Sequence, residues 1–348
     1  MRAALVVAAL AAQAHAAFTF QDPRIDEASG LALGHRSPGV AYVQNDSGDA
    51  NRFFAVNLRT GRTAATITVR GATNVDWEDL AVAPDAGGVW SVWLADIGDN
   101  GAGRGEVDVY RVPEPKVAAA ASNVSITTPP ASVWRLRYPD GPVNAESFAV
   151  TPAGVGYIVT KVTSGRSAVY RLPAQPDPDH VQTLTRVARV RFPSTLAYGR
   201  EATGAAISAD GRWLAVRTYL DAYFWRLRGG NVPAALAARP TEVGLPLQLQ
   251  GEGIALAPGR FYLDTEGRHS AVQVVPYAPL KPPPPPSSSE PDPSRATVTF
   301  SKPAPSSPAP AVPGRGDGWV GKWVLAVLAI AALAAAVEYR RRGGRRDG

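Results

Sequence analysis

Five glutamates stand at the head of strand-like apolar runs: Glu27-Ala-Ser-Gly-Leu-Ala-Leu, Glu78-Asp-Leu-Ala-Val, Glu146-Ser-Phe-Ala-Val, Glu201-Ala-Thr-Gly-Ala-Ala-Ile and Glu252-Gly-Ile-Ala-Leu. They recur at intervals of 51, 68, 55 and 51 residues. Carboxylates repeated at one place relative to a repeated strand are gathered at one locus by a closed repeat fold, and together they offer oxygen ligands to a hard cation. Two loops add to them: Asn45-Asp46-Ser47-Gly48-Asp49 and Asp96-Ile97-Gly98-Asp99-Asn100-Gly101. The expected ligands are therefore Glu27, Asp46, Asp49, Glu78, Asp96, Asp99, Glu146, Glu201 and Glu252. Oxygen donors on Asp/Asn/Gly loops suit Ca2+ better than a transition metal, although neither loop completes the twelve-residue EF-hand pattern.

Crowded carboxylates repel. Two of them about 8 Å apart, at an effective dielectric of about 20, cost on the order of 2 kcal/mol. A bound cation, protonation, or the basic side chains Lys161, Arg200 and Arg217 must offset this. Those three bases, with Trp77 beside Glu78, are the expected contacts for a ligand at the site. The structural alternative is that the glutamates accept backbone N–H bonds and that the aspartates serve their turns.

Other chemistry is poorly represented. The chain has no cysteine, which removes disulfides, thiolate metal sites and cysteine nucleophiles. Its histidines, His15, His35, His180 and His269, have no zinc-ligand spacing. No Gly-x-Ser-x-Gly, Ser-x-x-Lys or His-Glu-x-x-His motif supplies a hydrolytic centre. The formal charge of +6 suggests a nucleic-acid partner, but residues 18–280 carry 25 basic and 25 acidic side chains. The excess lies at the ends, chiefly in Arg340, Arg341, Arg342, Arg345 and Arg346, so no nucleic-acid partner is expected.

The elements that position the glutamates are strands. Each motif is followed, after a turn marked by Pro or Gly, by further strand-like runs, and the period matches a four-stranded propeller blade. The expected fold is an all-β propeller spanning residues 17–280, with five blades, or six if the long second unit holds another. The last unit lacks an outer strand, which Phe18-Thr19-Phe20 would supply, closing the ring and removing two exposed edges. An open sandwich of the same strands is the alternative. In a propeller the inner strands line a channel, which would put the glutamates at one mouth.

The ends of the chain read differently. Residues 1–16, with Arg2, an apolar stretch and Ala14-His15-Ala16, have the form of a signal peptide. Residues 281–318 form a Pro/Ser/Ala stalk with five consecutive prolines from Pro282. Residues 319–339 are apolar with aromatic ends and precede the basic tail 340–348, the pattern of a single transmembrane helix with its C-terminus in the cytoplasm. The expected location is the cell membrane, with the propeller outside.

The phrases Gln44-Asn-Asp-Ser-Gly-Asp, Asp76-Trp-Glu-Asp-Leu-Ala, Ala95-Asp-Ile-Gly-Asp-Asn, Val109-Tyr-Arg-Val-Pro-Glu-Pro and Arg217-Thr-Tyr resemble those of secreted bacterial β-propeller proteins of the WD40-like or phytase-like type (esterase-like activity of phytase). More distantly the strand-leading glutamates are similar to those of propeller phytases and of the gluconolactonase family. That resemblance implies Ca2+ or another divalent ion held by Glu27, Glu78, Glu146, Glu201 and Glu252. No catalytic residue of either family maps by motif. The expected function is binding of an extracellular ligand, protein or glycan, at an acidic, Ca2+-binding mouth; the rivals are a metal-dependent hydrolase of phosphoester or lactone type and a structural adhesion module.

Overall fold

The structure is a computed structural model that describes residues 14–281. The expected signal segment apart from its last three residues, the stalk beyond Lys281, the membrane helix 319–339 and the tail 340–348 lie outside the described residues. Among the described residues no helix is long and apolar enough to cross a membrane.

Five sheets, antiparallel through their first four strands, follow one another along the chain and close into a five-bladed propeller. Their inner strands are Ala28–Leu33, Trp77–Pro84, Ala145–Val150, Ala202–Ile207 and Ile254–Ala257. Each lies beside a second strand: Val40–Asn45, Trp90–Asp96, Gly156–Thr160, Trp213–Thr218 and Arg260–Leu263. The alternation of side chains along each strand sends apolar residues to both faces of a blade, and five buried clusters fill the five junctions between blades. Trp93 and Trp134 of blade two, for example, pack with Phe148 and Ile158 of blade three.

Blade five is completed by the first described strand, His15–Thr19, which pairs antiparallel with Ala271–Pro276. Phe18 and Phe20 sink into the junction between blades five and one. The ring therefore closes through strand exchange between its two ends. The long second unit holds no sixth blade. Its insertion instead lays Val124–Thr127 parallel to Thr63–Thr68, as a fifth strand on blade one. A two-residue segment, Gln182–Thr183, extends blade two in the same way.

In each of the first four blades the register slips by one residue near the start of the inner strand, a β-bulge. The bulged residues are Ser29, Glu78, Glu146 and Thr203, and they mark one end of the channel. The hairpins between first and second strands mark the other. Lys281 lies at that second end, where its carbonyl accepts from Arg212 Nη2 at 3.2 Å and its side chain lies over Gly259.

Candidate metal centre

The bulges give the true repeat register. Aligned on them, the equivalent residues are Ser29, Glu78, Glu146, Thr203 and, before Gly253 in blade five, Glu252. Two residues earlier stand Glu27, Asp76, Asn144, Glu201 and Gln250; Asp46, Lys161 and Glu266 donate their N–H groups to Glu27, Asn144 and Gln250 in matching places. The ring of five glutamates read from sequence is thus two tiers. Glu78, Glu146 and Glu252 occupy the inner tier and are 2%, 4% and 4% exposed. Glu27 and Glu201 belong to the outer tier, half-buried, with Asp76 as their counterpart.

Carboxylate oxygens of Asp46, Asp76 and Glu78 lie within 4.8 Å of one another. Donors held 2.3–2.6 Å from one Ca2+ are separated by at most about 5 Å, so this spacing fits a single ion. At about 5 Å and an effective dielectric near 20, each ionised pair costs about 3 kcal/mol. The protein relieves some of it with a proton: Asp46 and Asp76 share a hydrogen bond, and burial together with that bond and the Asp46 charge pushes Asp76 up to about 8. Burial and the charges of Glu146, Asp46 and Asp76 also hold Glu78 well above the usual carboxylate range. Its Oε2 accepts from Ser29 Oγ at 3.2 Å, while its buried Oε1 takes no hydrogen bond from any described residue. Gly98 leaves room there, since a Cβ would run into Glu78 Oε1 and Asp76 Oδ2.

Across the channel Lys161 Nζ meets Glu146 Oε2 at 2.5 Å and donates to Tyr219 Oη at 2.8 Å; Tyr219 Oη in turn donates to Glu252 Oε1 at 3.4 Å. Burial raises Glu146 and Glu252, and Lys161 opposes the rise in both. Burial alone would lower Lys161, but Glu146, Tyr219, Glu252 and Glu78 together hold it well above the usual lysine value. One ammonium thus faces three inner-tier carboxylates, and the balance on the Asp46–Asp76–Glu78 side is left negative.

The remaining expected site residues have other duties. Asp49 is paired with Arg52 at 2.6 Å and accepts from Asn45 Nδ2. Asp96, wholly buried, accepts from the N–H groups of Val75 and Asp76 and from Arg104 at 2.8 Å, and so fixes the turn that carries Asp76. Asp99 accepts from the N–H groups of Gly103 and Arg104. Arg217, also fully buried, donates to the carbonyls of Gly253 and Asp264 and to Gln248, tying blade four to blade five. Arg200 donates to Ser194 O in its own loop. Trp77 is a core residue, its Nε1 donating to Thr73 O and its ring 6.1 Å from that of Tyr110.

Three residues escaped the sequence reading. Asp76 and Tyr219 complete the two sides of the mouth. Asp79, one residue past Glu78, reaches across to the neighbouring inner strands: its Oδ2 accepts from Phe148 N at 2.8 Å and Ala205 N at 3.0 Å, and its Oδ1 accepts from Leu80 N at 2.8 Å. One carboxylate thereby ties the inner strands of blades two, three and four together. The repeated Φ-Ala-Φ of Leu31-Ala32-Leu33, Leu80-Ala81-Val82, Phe148-Ala149-Val150, Ala205-Ala206-Ile207 and Ile254-Ala255-Leu256 carried the register that reveals Asp76 and Asp79.

The shared proton has a measurable consequence. Asp76 is raised from 3.8 to about 8 by folding, so its contribution to stability is complete below its unfolded value and is lost as pH rises towards 8. Without divalent ions the melting temperature should therefore fall as pH rises through neutrality. Ca2+ binding should expel the proton, and its calorimetric heat at neutral pH should scale with buffer ionisation enthalpy. A heat independent of buffer would contradict the shared proton.

The fold and site define the chain as a five-bladed β-propeller with a carboxylate cluster that could hold a metal ion at one mouth of its channel. No protein-family model matches it, and no curated protein does. Among solved structures it is similar to the PQQ-bound aldose sugar dehydrogenase of Streptomyces coelicolor, at 13% identity over 75% of this chain and 96% of that one, with a TM-score of 0.40. The gluconolactonase XC5397 of Xanthomonas campestris matches at 13% identity over 73% and 87%, TM-score 0.40. The Cps50 (Swd1) β-propeller domain of Myceliophteria thermophila matches at 8% over 71% and 83%, TM-score 0.36. At such identities these are likenesses of fold, and the blade count above does not rest on them.

Proposed function

We propose that the chain is a cell-surface protein, anchored by the helix expected at 319–339, whose propeller binds Ca2+ through Asp46, Asp76 and Glu78 and uses the ion to engage an extracellular ligand, protein or glycan. The observation that carries this reading is the buried Glu78 Oε1, without a hydrogen-bond partner among the described residues and within 4.8 Å of oxygens from two further carboxylates. Buried oxygens are ordinarily satisfied, and a cation satisfies this one while cancelling the repulsion around it. The test is the melting temperature of the full chain in Ca2+ and in EDTA. An ion at about 100 times its dissociation constant adds about 2.7 kcal/mol. For a domain of this size that is a rise of about 5–10 °C. The same melting temperature in EDTA, Ca2+, Mg2+ and Mn2+ would refute the site.

A hydrolase reading shares the site. It is favoured by the buried Lys161–Tyr219–Glu252 chain, which gives a proton a route at the same mouth. Turnover of lactones or phosphate esters that survives Asp49→Asn but disappears in Glu78→Gln would establish it.

A further inference from the structure

The outer pair of strands in blade three, Arg166–Arg171 and Thr185–Arg191, carries a ladder of arginines on one face. Arg166 stands opposite Arg191, and Arg189 occupies the next rung, opposite Ala168. All three side chains are exposed, and their guanidinium groups make no ion pair or hydrogen bond among the described residues. Further along, Arg186 opposite Tyr170 is spent on Asp140 at 2.5 Å. Cross-strand neighbours lie about 5 Å apart at Cβ, and alternate residues of a strand about 6.8 Å apart. Three uncompensated positive charges therefore sit within one or two rungs of each other.

Stability does not call for this arrangement. Like charges directly opposite each other weaken a strand pair. Charges on an edge strand do guard against edge-to-edge pairing, which accounts for some arginine on Thr185–Arg191. That role does not extend to Arg166, which lies on the strand inside the edge and directly opposite Arg191.

We propose that this ladder is a second binding surface, separate from the cation site, for an anionic polysaccharide bearing sulfate, phosphate or uronate groups. The guanidinium fork grips such oxyanions with two parallel hydrogen bonds, and closely spaced forks suit a chain of regularly spaced anions better than a lone ion. Nucleic acid fits less well. Single strands are held by aromatic rings on which bases stack, and the aromatic ring of this ladder, Tyr170, is buried with its hydroxyl bound to Asp140.

The test uses the full chain and heparin as the probe, at low ionic strength. Wild type binds, and binding weakens as salt is added. The Arg166→Ser/Arg189→Ser/Arg191→Ser variant loses about ten-fold or more in affinity, and its melting temperature is unchanged or higher because the opposed charges are gone. The corresponding triple Lys variant keeps the charge without the fork and loses several-fold. Arg59→Ser/Arg62→Ser/Arg228→Ser removes the same net charge elsewhere and leaves binding within about two-fold of wild type. The proposal is overturned if wild type does not bind heparin, if both Ser triples weaken it equally, if the ladder variant melts lower than wild type, or if an oligonucleotide of similar charge density displaces heparin more readily than a sulfated glycan does.

Discussion

Asp79→Ala is expected to lower the melting temperature of the chain by about 10 °C. The side chain is 1% exposed, and its two oxygens accept the N–H groups of Leu80, Phe148 and Ala205 from three successive inner strands. Burial drives its carboxyl well above the usual range, and the three N–H donors pull it back. Alanine leaves those buried donors unpaired, at about 1–3 kcal/mol for each group that finds no substitute. A total on the order of 4 kcal/mol follows, among the larger losses a single substitution produces. Asp79→Asn should fall between wild type and alanine, because its one carbonyl oxygen serves Phe148 and Ala205 while its amide group confronts the N–H of Leu80. An alanine variant melting within about 2 °C of wild type would show that the Asp79 carboxylate does not hold the blades together.

Glu78→Gln should have opposite effects with and without the ion. In EDTA it should raise the melting temperature, because it removes an ionisable group whose charged form is disfavoured by burial and by the charges of Glu146, Asp46 and Asp76. In Ca2+ the stabilisation expected of wild type should vanish. Losing a charged ligand from a three-carboxylate site reduces Ca2+ affinity by about a hundred-fold, a difference that a competition titration against a fluorescent chelator resolves. A glutamate with a purely structural role predicts the reverse pair: a lower melting temperature in EDTA and an unaltered response to Ca2+. The two outcomes do not overlap, so one variant decides between ligand and scaffold.

The propeller was legible because its signal is redundant. Each blade repeats turn residues and alternating strands, and the missing outer strand of the last blade matched an orphan strand at the other end of the propeller. The number of blades was less legible, because the 68-residue interval contains Val124–Thr127, which has strand character but pairs with blade one. The site was legible in composition and shifted in register. Anchoring the repeat on glutamate aligned Glu27 and Glu201 with Glu78, whereas the bulges align Ser29 and Thr203 with it. A two-residue error preserves strand parity, so the apolar pattern gave no warning. Asp46 and Asp99 look alike in sequence, as Asp-x-Gly turn residues. They part company because Asp99 has the N–H groups of Gly103 and Arg104 within reach, while Asp46 meets a second carboxylate.

The point at which the chain leaves the ring gives the propeller a handle. Lys281 is held by Arg212 against the hairpin end of the channel, whereas Asp46, Asp76 and Glu78 gather at the bulged end. A chain immobilised on a sensor surface by a tag placed just after Lys281 would rest on its hairpin end with the acidic mouth turned to the solution. A tag near His15 would instead pull on the strand that completes blade five. The two ends of the same ring thus differ in kind: one can bear load without touching the site, and the other is part of the clasp.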